Sequence, residues 1–202
     1  MVHGDIKPEN VLVFKDSADV YIARIADFGY STRFTDEDEL IALPHSWPWY
    51  APEHNERDKF KPAQARKTDI FSLGMLCLWV LFEKYLSGMT PLPQESQWAK
   101  EYSQEKEHEN LSMRTLQALK QDDKLALLGQ QLVQAETDLD KDKRHALAHF
   151  LSTSLACNPD KRNANLARFT DQTAADRYDH CLMKLFPLTL LKTKLLPRLG
   201  PK

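Results

Sequence analysis

The sequence predicts a mainly α domain that opens with a short β ribbon, and three patterns carry that prediction. The first is a pair of apolar or alternating runs, 11–14 and 20–26, joined by a polar segment at 15–19 that is typical of a turn. The second is residues 70–82, which are apolar almost all round, as in a helix buried at the centre of a domain. The third is a series of leucines at helical spacing between residues 94 and 161.

Composition excludes several classes of protein. The chain has 202 residues, of which 42% are hydrophobic and 28% charged, enough for one good core. A net charge of -2 gives no electrostatic basis for binding nucleic acid or a membrane surface. We find no run long enough for a transmembrane segment and no signal peptide, so we expect an intracellular, cytoplasmic protein. The cysteines are odd in number and far apart, which predicts neither a zinc site nor a disulfide framework: Cys77, Cys157 and Cys181.

The densest cluster of chemically active side chains lies at residues 3–10, HGDIKPEN, directly before the first predicted strand. Asp5 can accept a proton from a hydroxyl nucleophile, and Lys7 can neutralise a phosphate oxygen. Asn10 offers a neutral oxygen to a hard cation such as Mg2+. Together these roles describe phosphoryl transfer, in which catalysis consists mostly of positioning and charge neutralisation.

A second cluster completes this chemistry at residues 26–29, ADFG, after the second predicted strand. Asp27, followed by an aromatic residue and a glycine, can supply a second metal contact on a loop. Downstream lie residues 50–53, YAPE, and residues 69–74, DIFSLG. Four motifs in this order and with this spacing resemble the eukaryotic protein kinase family, with Gly4 where many members carry arginine.

The resemblance implies a serine/threonine-type protein kinase that uses ATP and Mg2+ and acts on a protein substrate. Asp5 would orient and deprotonate the acceptor hydroxyl. Lys7, whose position favours serine/threonine over tyrosine specificity, would stabilise the transferring phosphoryl group. Asn10 and Asp27 would hold Mg2+ on the phosphates. Leu12 would lie under the adenine ring; a plain core leucine is the alternative, and the two are compatible.

Further residues would support this site, again by resemblance. Ser46 would bond both catalytic side chains and shape the substrate pocket. Asp69 would accept hydrogen bonds from backbone amides of the catalytic loop. Glu53 and Arg162 would form a buried ion pair, which is costly to break from one side only. The residues expected to pack the first motif against the second are His3, Phe28 and Gly29.

The resemblance covers residues 1–170 as an incomplete kinase domain, the large C-terminal lobe, with the small N-terminal lobe absent. A complete kinase places a glycine-rich loop over the phosphates, and no two of the six glycines here are spaced to form it. We therefore expect weak or absent phosphoryl transfer by these residues alone. The alternative is a catalytically inactive, kinase-like interaction module. A kinase of small molecules fits less well, because residues 51–53, Asp69 and Arg162 build a protein-substrate platform.

Residues 27–53 correspond by resemblance to the activation segment. Its candidate phosphorylation sites are Ser31, Thr32 and Thr35. In many members an arginine of the catalytic loop binds a phosphate on this segment, and Gly4 occupies the position of that arginine here. We therefore expect activity that does not need phosphorylation of this segment. The acidic run at 36–39 either mimics a phosphate or is a solvated loop, and the solvated loop is favoured.

Three other patterns leave alternatives open. Residues 47–49, WPW, either form a docking wall for the residue after the target hydroxyl or pack on the core. His145 and His149 share a helical face, but no further ligand lies nearby, so a packed or exposed pair is favoured over a metal site. For residues 171–202, basic and rich in leucine, we expect a loosely docked or partner-facing C-terminal tail rather than a membrane element.

Helix boundaries follow from local signals. Thr68 or Asp69 is the expected N-terminal cap of the central helix. Residues 88–93 are predicted to form a loop, and residues 138–144 a solvated turn between helices. Three apolar sets at helical spacing are predicted to face the core: Leu111, Leu116 and Leu119; Leu125, Leu128 and Leu132; and Ala146, Leu147, Phe150, Leu151 and Leu155.

Overall fold

The computed structural model of the chain describes residues 1–19, 21–86 and 113–163. Some predictions lie outside these described residues, namely the loop at 88–93, Leu111 and the tail at 171–202. Within the described part of the chain, no helix is long and apolar enough to cross a bilayer.

The predicted β ribbon is confirmed. Strands β1 (Val11–Lys15) and β2 (Tyr21–Ile25) pair antiparallel, aligned residue for residue. Asp16 stabilises the turn by accepting a hydrogen bond at 2.9 Å from the backbone amide two residues on. Because the strands are antiparallel, the two charged motifs lie at the same end of the ribbon. There the backbone N–H of Ala26 donates to the carbonyl oxygen of Asn10 at 2.8 Å.

A second, smaller sheet joins β3 (Ile41–Ala42) to β4 (Lys59–Phe60), again antiparallel. This sheet was not predicted, because strands of two residues are too short to show an alternation of apolar and polar residues. This sheet covers a small apolar cluster beside the main core, formed by Val2, Ile41, Leu43, Phe60 and Ala65.

The central helix α1 (Pro62–Leu86) begins earlier than predicted, so the assignment of Thr68 or Asp69 as its cap is wrong. Pro62 suits the first helical position because the N–H it lacks would have no partner inside the helix. The first turns of the helix contain Gln64, Arg66 and Lys67, and these polar side chains hid its start from the hydrophobic pattern. As expected of a buried central helix, α1 contributes many fully buried side chains, among them Phe71 and Met75.

Three shorter helices follow in the described residues, α2 (Met113–Ala118), α3 (Lys124–Ala135) and α4 (Lys141–Ser154), of which α4 packs against both α1 and α3. The predicted turn at 138–144 is wrong at its C-terminal end, because Asp140 caps α4 by accepting the backbone N–H of Lys143 at 2.8 Å. Nearly all of the described members of the predicted apolar sets are buried: Leu116, Leu119, Leu125, Leu128, Leu132, Leu147, Phe150, Leu151 and Leu155.

Helices α1 and α4 approach each other closely at Gly74. A Cβ atom at this position would lie 2.5 Å from Ser154 Oγ and 2.9 Å from Leu155 Cδ2. Close packing also surrounds Cys77, where burial raises the pKa of the thiol to about 12, so this cysteine stays a neutral core residue. The main core of packed helices also includes Ile6, Trp49 and Ala51, which belong to the loops that carry the motifs.

Candidate active site

The catalytic-loop candidate, residues 3–10, is fixed between a β-bridge and the ribbon. Val2 and Thr32 form an isolated bridge on one side. On the other side, a 3-10 turn at Pro8–Asn10 leads directly into β1. The proline suits the start of this turn because it needs no N–H partner there. Asp5 and Asn10, both buried, therefore project from a stretch whose two ends are held.

Asp5 lies at the centre of a compact polar group. Its carboxylate contacts Lys7 Nζ at 2.8 Å and accepts a hydrogen bond from the Ser46 hydroxyl at 2.5 Å. Asn10 Nδ2 donates to the same carboxylate at 3.1 Å and to the Asp5 carbonyl oxygen at 2.8 Å. Lys7 Nζ also reaches Ser46 Oγ at 3.4 Å. Four predicted site residues that are up to 41 positions apart in the sequence thus meet around one carboxylate.

These contacts set the charges of the group. Burial alone raises the pKa of Asp5, but hydrogen bonds from Lys7 and Ser46 outweigh it and hold the pKa below its usual range. The bond to Asp5 raises the pKa of Lys7 above its usual value. The carboxylate is therefore ionised and the amine protonated across the physiological range.

The second motif lies against the first through His3. The His3 Nε2 atom is 3.1 Å from the Ala26 carbonyl oxygen, and its ring packs edge-on against Phe28 with centroids 5.1 Å apart. Asp27 has a left-handed backbone with φ 60°, and its carboxylate accepts the N–H of Gly29 at 3.2 Å. The structure thus brings the two predicted metal-binding loops together.

The donor set at these loops fits Mg2+. Asn10 uses its amide nitrogen for Asp5, and its amide oxygen, the atom that a hard cation binds, takes no part in those bonds. Asp27 adds an exposed carboxylate. Within residues 1–19, 21–86 and 113–163, no group of three or more His, Cys, Asp or Glu side chains could hold a metal by itself. Mg2+ ordinarily binds through one or two protein ligands together with substrate phosphates, so two ligands suffice.

Asp69 anchors the backbone of the catalytic-loop candidate. Its two carboxylate oxygens accept the N–H groups of His3 at 2.7 Å and Gly4 at 2.8 Å. Burial raises the pKa of Asp69, and these two bonds oppose the shift. Gly4 has φ +85°, and a Cβ there would lie 3.2 Å from both Leu43 Cδ2 and the Tyr30 carbonyl oxygen. A side chain at position 4 would therefore be strained in this backbone.

The ion pair expected between Glu53 and Arg162 is present and buried. The guanidinium binds the carboxylate through two bonds of 2.6 and 2.8 Å. Its other donors reach the carbonyl oxygens of Ala156, Lys67 and Cys157, so all five N–H groups are used. This pair lies apart from the Asp5 group and joins the end of the activation-segment candidate to the turn after α4.

The structure places several residues for which the sequence left alternatives open. Leu12 is 57% exposed, so its interpretation as a plain core leucine is wrong. Trp49 packs on the core, with its ring 6.1 Å from that of Trp79, whereas Trp47 is 48% exposed. The two histidines at the surface of α4, His145 and His149, are exposed.

The acidic run at 36–39 is an exposed loop, as the favoured interpretation predicted, and two of its carboxylates form surface ion pairs. Glu37 and Arg66 form a bidentate ion pair with bonds of 2.6 and 3.1 Å, and Asp38 binds Lys61 Nζ at 2.7 Å. All four side chains remain exposed. The run is therefore attached to the start of α1 at the protein surface.

The sequence analysis missed residues that hold the turn at 46–50. Ser72 Oγ donates to the Trp49 carbonyl oxygen at 3.0 Å, and Lys120 Nζ donates to the Tyr50 carbonyl oxygen at 2.5 Å. Lys120 lies in the turn after α2, and no local pattern in the sequence identifies its partner.

Comparison with known proteins agrees with the geometry. A sequence model of the protein kinase domain matches residues 1–171. Human ribosomal protein S6 kinase alpha-6 is 36% identical over 92 residues, 45% of this chain and 11% of the relative. Ribosomal protein S6 kinase 2 beta of Xenopus laevis is 33% identical over 98 residues, 47% of this chain. Mouse ribosomal protein S6 kinase alpha-2 is 32% identical over 98 residues, also 47% of this chain.

The aligned parts are small pieces of these long relatives, since they cover between 11% and 15% of their lengths. The family match is far broader, because residues 1–171 include every motif and every predicted site residue. The motifs, their geometry and this match agree, and the chain belongs to the protein kinase family.

Proposed function

We propose that the chain carries the phosphoryl-transfer site of a serine/threonine protein kinase, which moves the γ-phosphoryl group of ATP to protein hydroxyls. One observation supports this most strongly: the buried Asp5 carboxylate is held by Lys7 on one side and Ser46 on the other. Because these bonds keep the carboxylate ionised, Asp5 can orient an incoming hydroxyl and accept its proton.

Lys7 and the two loops would manage the charge of the phosphates. The protonated amine of Lys7 stabilises negative charge on the transferring group. Asn10 and Asp27 would hold Mg2+, which when bound neutralises the phosphates and orients them for in-line transfer. Leu12, exposed on β1, is the surface against which we place the adenine ring.

The acceptor is proposed to be a serine or threonine of a protein. Lys7 and Ser46 both touch Asp5, so the same group that positions the hydroxyl also shapes the pocket around it. Trp47 lies one residue beyond Ser46 and is exposed, which makes it the part of the tryptophan pair that can contact a bound peptide. Trp49 is packed on the core and supports the turn from below.

The test is transfer of labelled phosphate from ATP and Mg2+ to a serine peptide and to its tyrosine counterpart. We expect slow turnover by the full chain with a preference for serine, and a decrease of about 100-fold or more in Asp5→Asn. Asp142→Asn, an exposed carboxylate in the first turn of α4, is the matched control and should leave turnover unchanged. Turnover that survives Asp5→Asn would contradict the assignment of the base.

The second candidate function is a catalytically inactive, kinase-like interaction module. It is favoured by a set of large apolar side chains that stay exposed on the ribbon and the adjoining turn, namely Leu12, Phe14, Phe28 and Tyr30. The same assay separates the two functions. An inactive module would give no transfer above the Asp5→Asn background while remaining folded.

We also propose that activity does not depend on phosphorylation of the activation segment. Gly4 supplies no cation for a phosphate, and Arg66 and Lys61 are already paired with Glu37 and Asp38. Treating the protein with a phosphatase should therefore leave its turnover unchanged. A large loss after this treatment would show that a phosphate is required.

A further inference from the structure

We propose that Lys120 is a positioning residue for this transfer: its ammonium binds the Tyr50 carbonyl oxygen and fixes the turn at 46–50, which carries Ser46 to Asp5. The inference rests on the proposed function and adds to it a residue outside the four motifs. Lys120 lies between α2 and α3, 70 positions from its partner in the sequence.

The surroundings of Lys120 are unusual for a lysine. The residue is 1% exposed, and lysine is almost never fully buried unless it is paired. Its Nζ donates to the Tyr50 carbonyl oxygen at 2.5 Å and lies 4.2 Å from the centre of the Tyr50 ring. It also lies 5.7 Å from the ring of Phe71. Burial of an ammonium group carries a desolvation penalty that an apolar side chain in the same space would not have. We therefore expect this lysine to have a specific role.

The turn that Lys120 holds is connected to the catalytic group. The backbone N–H groups of Trp49 and Tyr50 both bond to the Ser46 carbonyl oxygen, at 2.7 and 3.2 Å. The Ser46 hydroxyl, at the other end of this turn, donates to Asp5 at 2.5 Å. Any release of Tyr50 therefore loosens the residue that orients the proposed base.

Two neighbours share the task without replacing Lys120. Gln117 Nε2 donates to the Tyr50 hydroxyl at 2.9 Å, and Ser72 holds the Trp49 carbonyl oxygen. Neither reaches the Tyr50 carbonyl oxygen, for which the described residues offer Lys120 as the side-chain donor. A charge-assisted bond of this kind is roughly twice as strong as a neutral one.

Charged and titratable groups surround the ammonium from each packed element. Glu53 and His54 face it from the turn at Pro52–Asn55, and Arg162 lies over the same Phe71 ring, 4.8 Å from its centre. Burial lowers the pKa of Lys120 to about 7, against the opposing effect of Glu53. The pKa of His54 is lowered by burial to about 4, so that ring is neutral when Lys120 titrates.

His45 completes this environment. It is exposed, and its ring packs against those of Tyr50 and His54, with centroids 5.5 and 5.2 Å apart. Because His45 contacts the ring of Tyr50, the variant His45→Gln serves as a control for the pH series below.

The first test is hydrogen exchange at the backbone amides of Trp49 and Tyr50 in the full chain. Lys120→Met should lower the protection of both amides about tenfold or more, while protection in α4 is unchanged. Lys143→Met, an exposed lysine of α4, should leave both amides as in the wild type. Unchanged protection in a folded Lys120→Met protein would overturn the proposal.

A pH series on the wild type supplies a measurement that needs no folded Lys120→Met protein. After correction for intrinsic exchange rates, protection of the two amides should rise as the pH is raised from 6 to 8.5. Opening of the turn returns Lys120 to water, where the lysine binds the proton that it has released in the closed turn, in which its pKa is about 7. The rise should persist in His45→Gln and disappear in Lys120→Arg, which stays charged in both states. A rise that vanishes in His45→Gln, or protection that falls or stays constant in the wild type, would overturn the proposal.

Kinetics separate a positioning role from a merely structural one. Lys120→Met should lower kcat about tenfold with an unchanged KM for ATP. Lys120→Arg should restore kcat. If the wild type transfers no phosphate, the proposed function fails, while the exchange measurements still decide whether Lys120 holds the turn.

Discussion

Two arginine–glutamate pairs in this chain have the same chemistry and opposite surroundings. Arg162 and Glu53 form a bidentate pair across 109 positions, with the arginine side chain fully buried. Arg66 and Glu37 form a bidentate pair across 29 positions, with the side chains 43% and 65% exposed. Their bond lengths are nearly equal, so hydrogen-bond geometry cannot tell us which pair the fold depends on.

The two pairs differ in their burial and in the number of further hydrogen bonds that the arginine donates. Arg162 also donates to three carbonyl oxygens and packs on Phe71, so its removal leaves buried acceptors and a buried carboxylate without partners. Arg66 contacts the ring of Phe34 at 5.9 Å, and water can replace its bonds to Glu37. The Arg162–Glu53 pair is therefore part of the fold, whereas the Arg66–Glu37 pair attaches a surface segment.

The largest expected effect comes from breaking the buried pair on one side. Arg162→Met should lower the free energy of unfolding by about 3–5 kcal/mol, because Glu53 is left charged and buried. Urea denaturation followed by far-UV circular dichroism measures this. Lys161→Met, which changes the exposed neighbouring residue, is the control. A variant as stable as the wild type would show that the buried pair does not support the fold.

Because His54 is buried in the same region, we expect the free energy of unfolding to depend on pH. Burial lowers the pKa of His54 from 6.5 to about 4, so between these values the unfolded chain binds more protons than the folded one. Stability should therefore fall by about 3 kcal/mol as the pH is lowered from 7 to 4. His54→Gln should remove this part of the acid sensitivity in denaturation curves measured at each pH. An unchanged slope in the variant would contradict the prediction.

The sequence predicted features that depend on neighbouring residues better than contacts between distant ones. Periodicity predicted the ribbon and the buried faces of α3 and α4, because those signals lie within one element. The contact between Glu53 and Arg162 came from family resemblance alone, since no local pattern relates residues so far apart.

Other features had no local signal. The start of α1 at Pro62 was hidden by polar residues, and β3 and β4 are too short to show alternation. Within the site, Asp5, Lys7 and Asn10 could be proposed from one stretch of sequence. Lys120 could not, because the partner of a buried lysine is decided by tertiary packing.

Replacing both members of the buried pair separates the effect of its two charges from the effect of the other bonds that Arg162 makes. Glu53→Leu combined with Arg162→Met removes both charges, and apolar replacement of a buried ion pair is often neutral or stabilising. Here the carbonyl oxygens of Ala156 and Cys157 still lose their donor, so we expect only partial recovery, to about 2 kcal/mol below the wild type. A double variant less stable than Arg162→Met would show that the pair contributes more than its charges.

The smallest effect is expected at the exposed pair, where Arg66→Met should change stability by no more than roughly a fifth of the effect of Arg162→Met. The hydrogen bond from Arg66 lowers the pKa of Glu37, but both groups remain in water, where salt screens their attraction. Denaturation at low and high ionic strength should therefore bring Arg66→Met and the wild type together as salt is added. If Arg66→Met lowered stability more than Arg162→Met at any salt concentration, burial would not explain the difference between the two pairs. Residues 27–53 would then depend on their surface attachment to α1 more than on the buried anchor at Glu53.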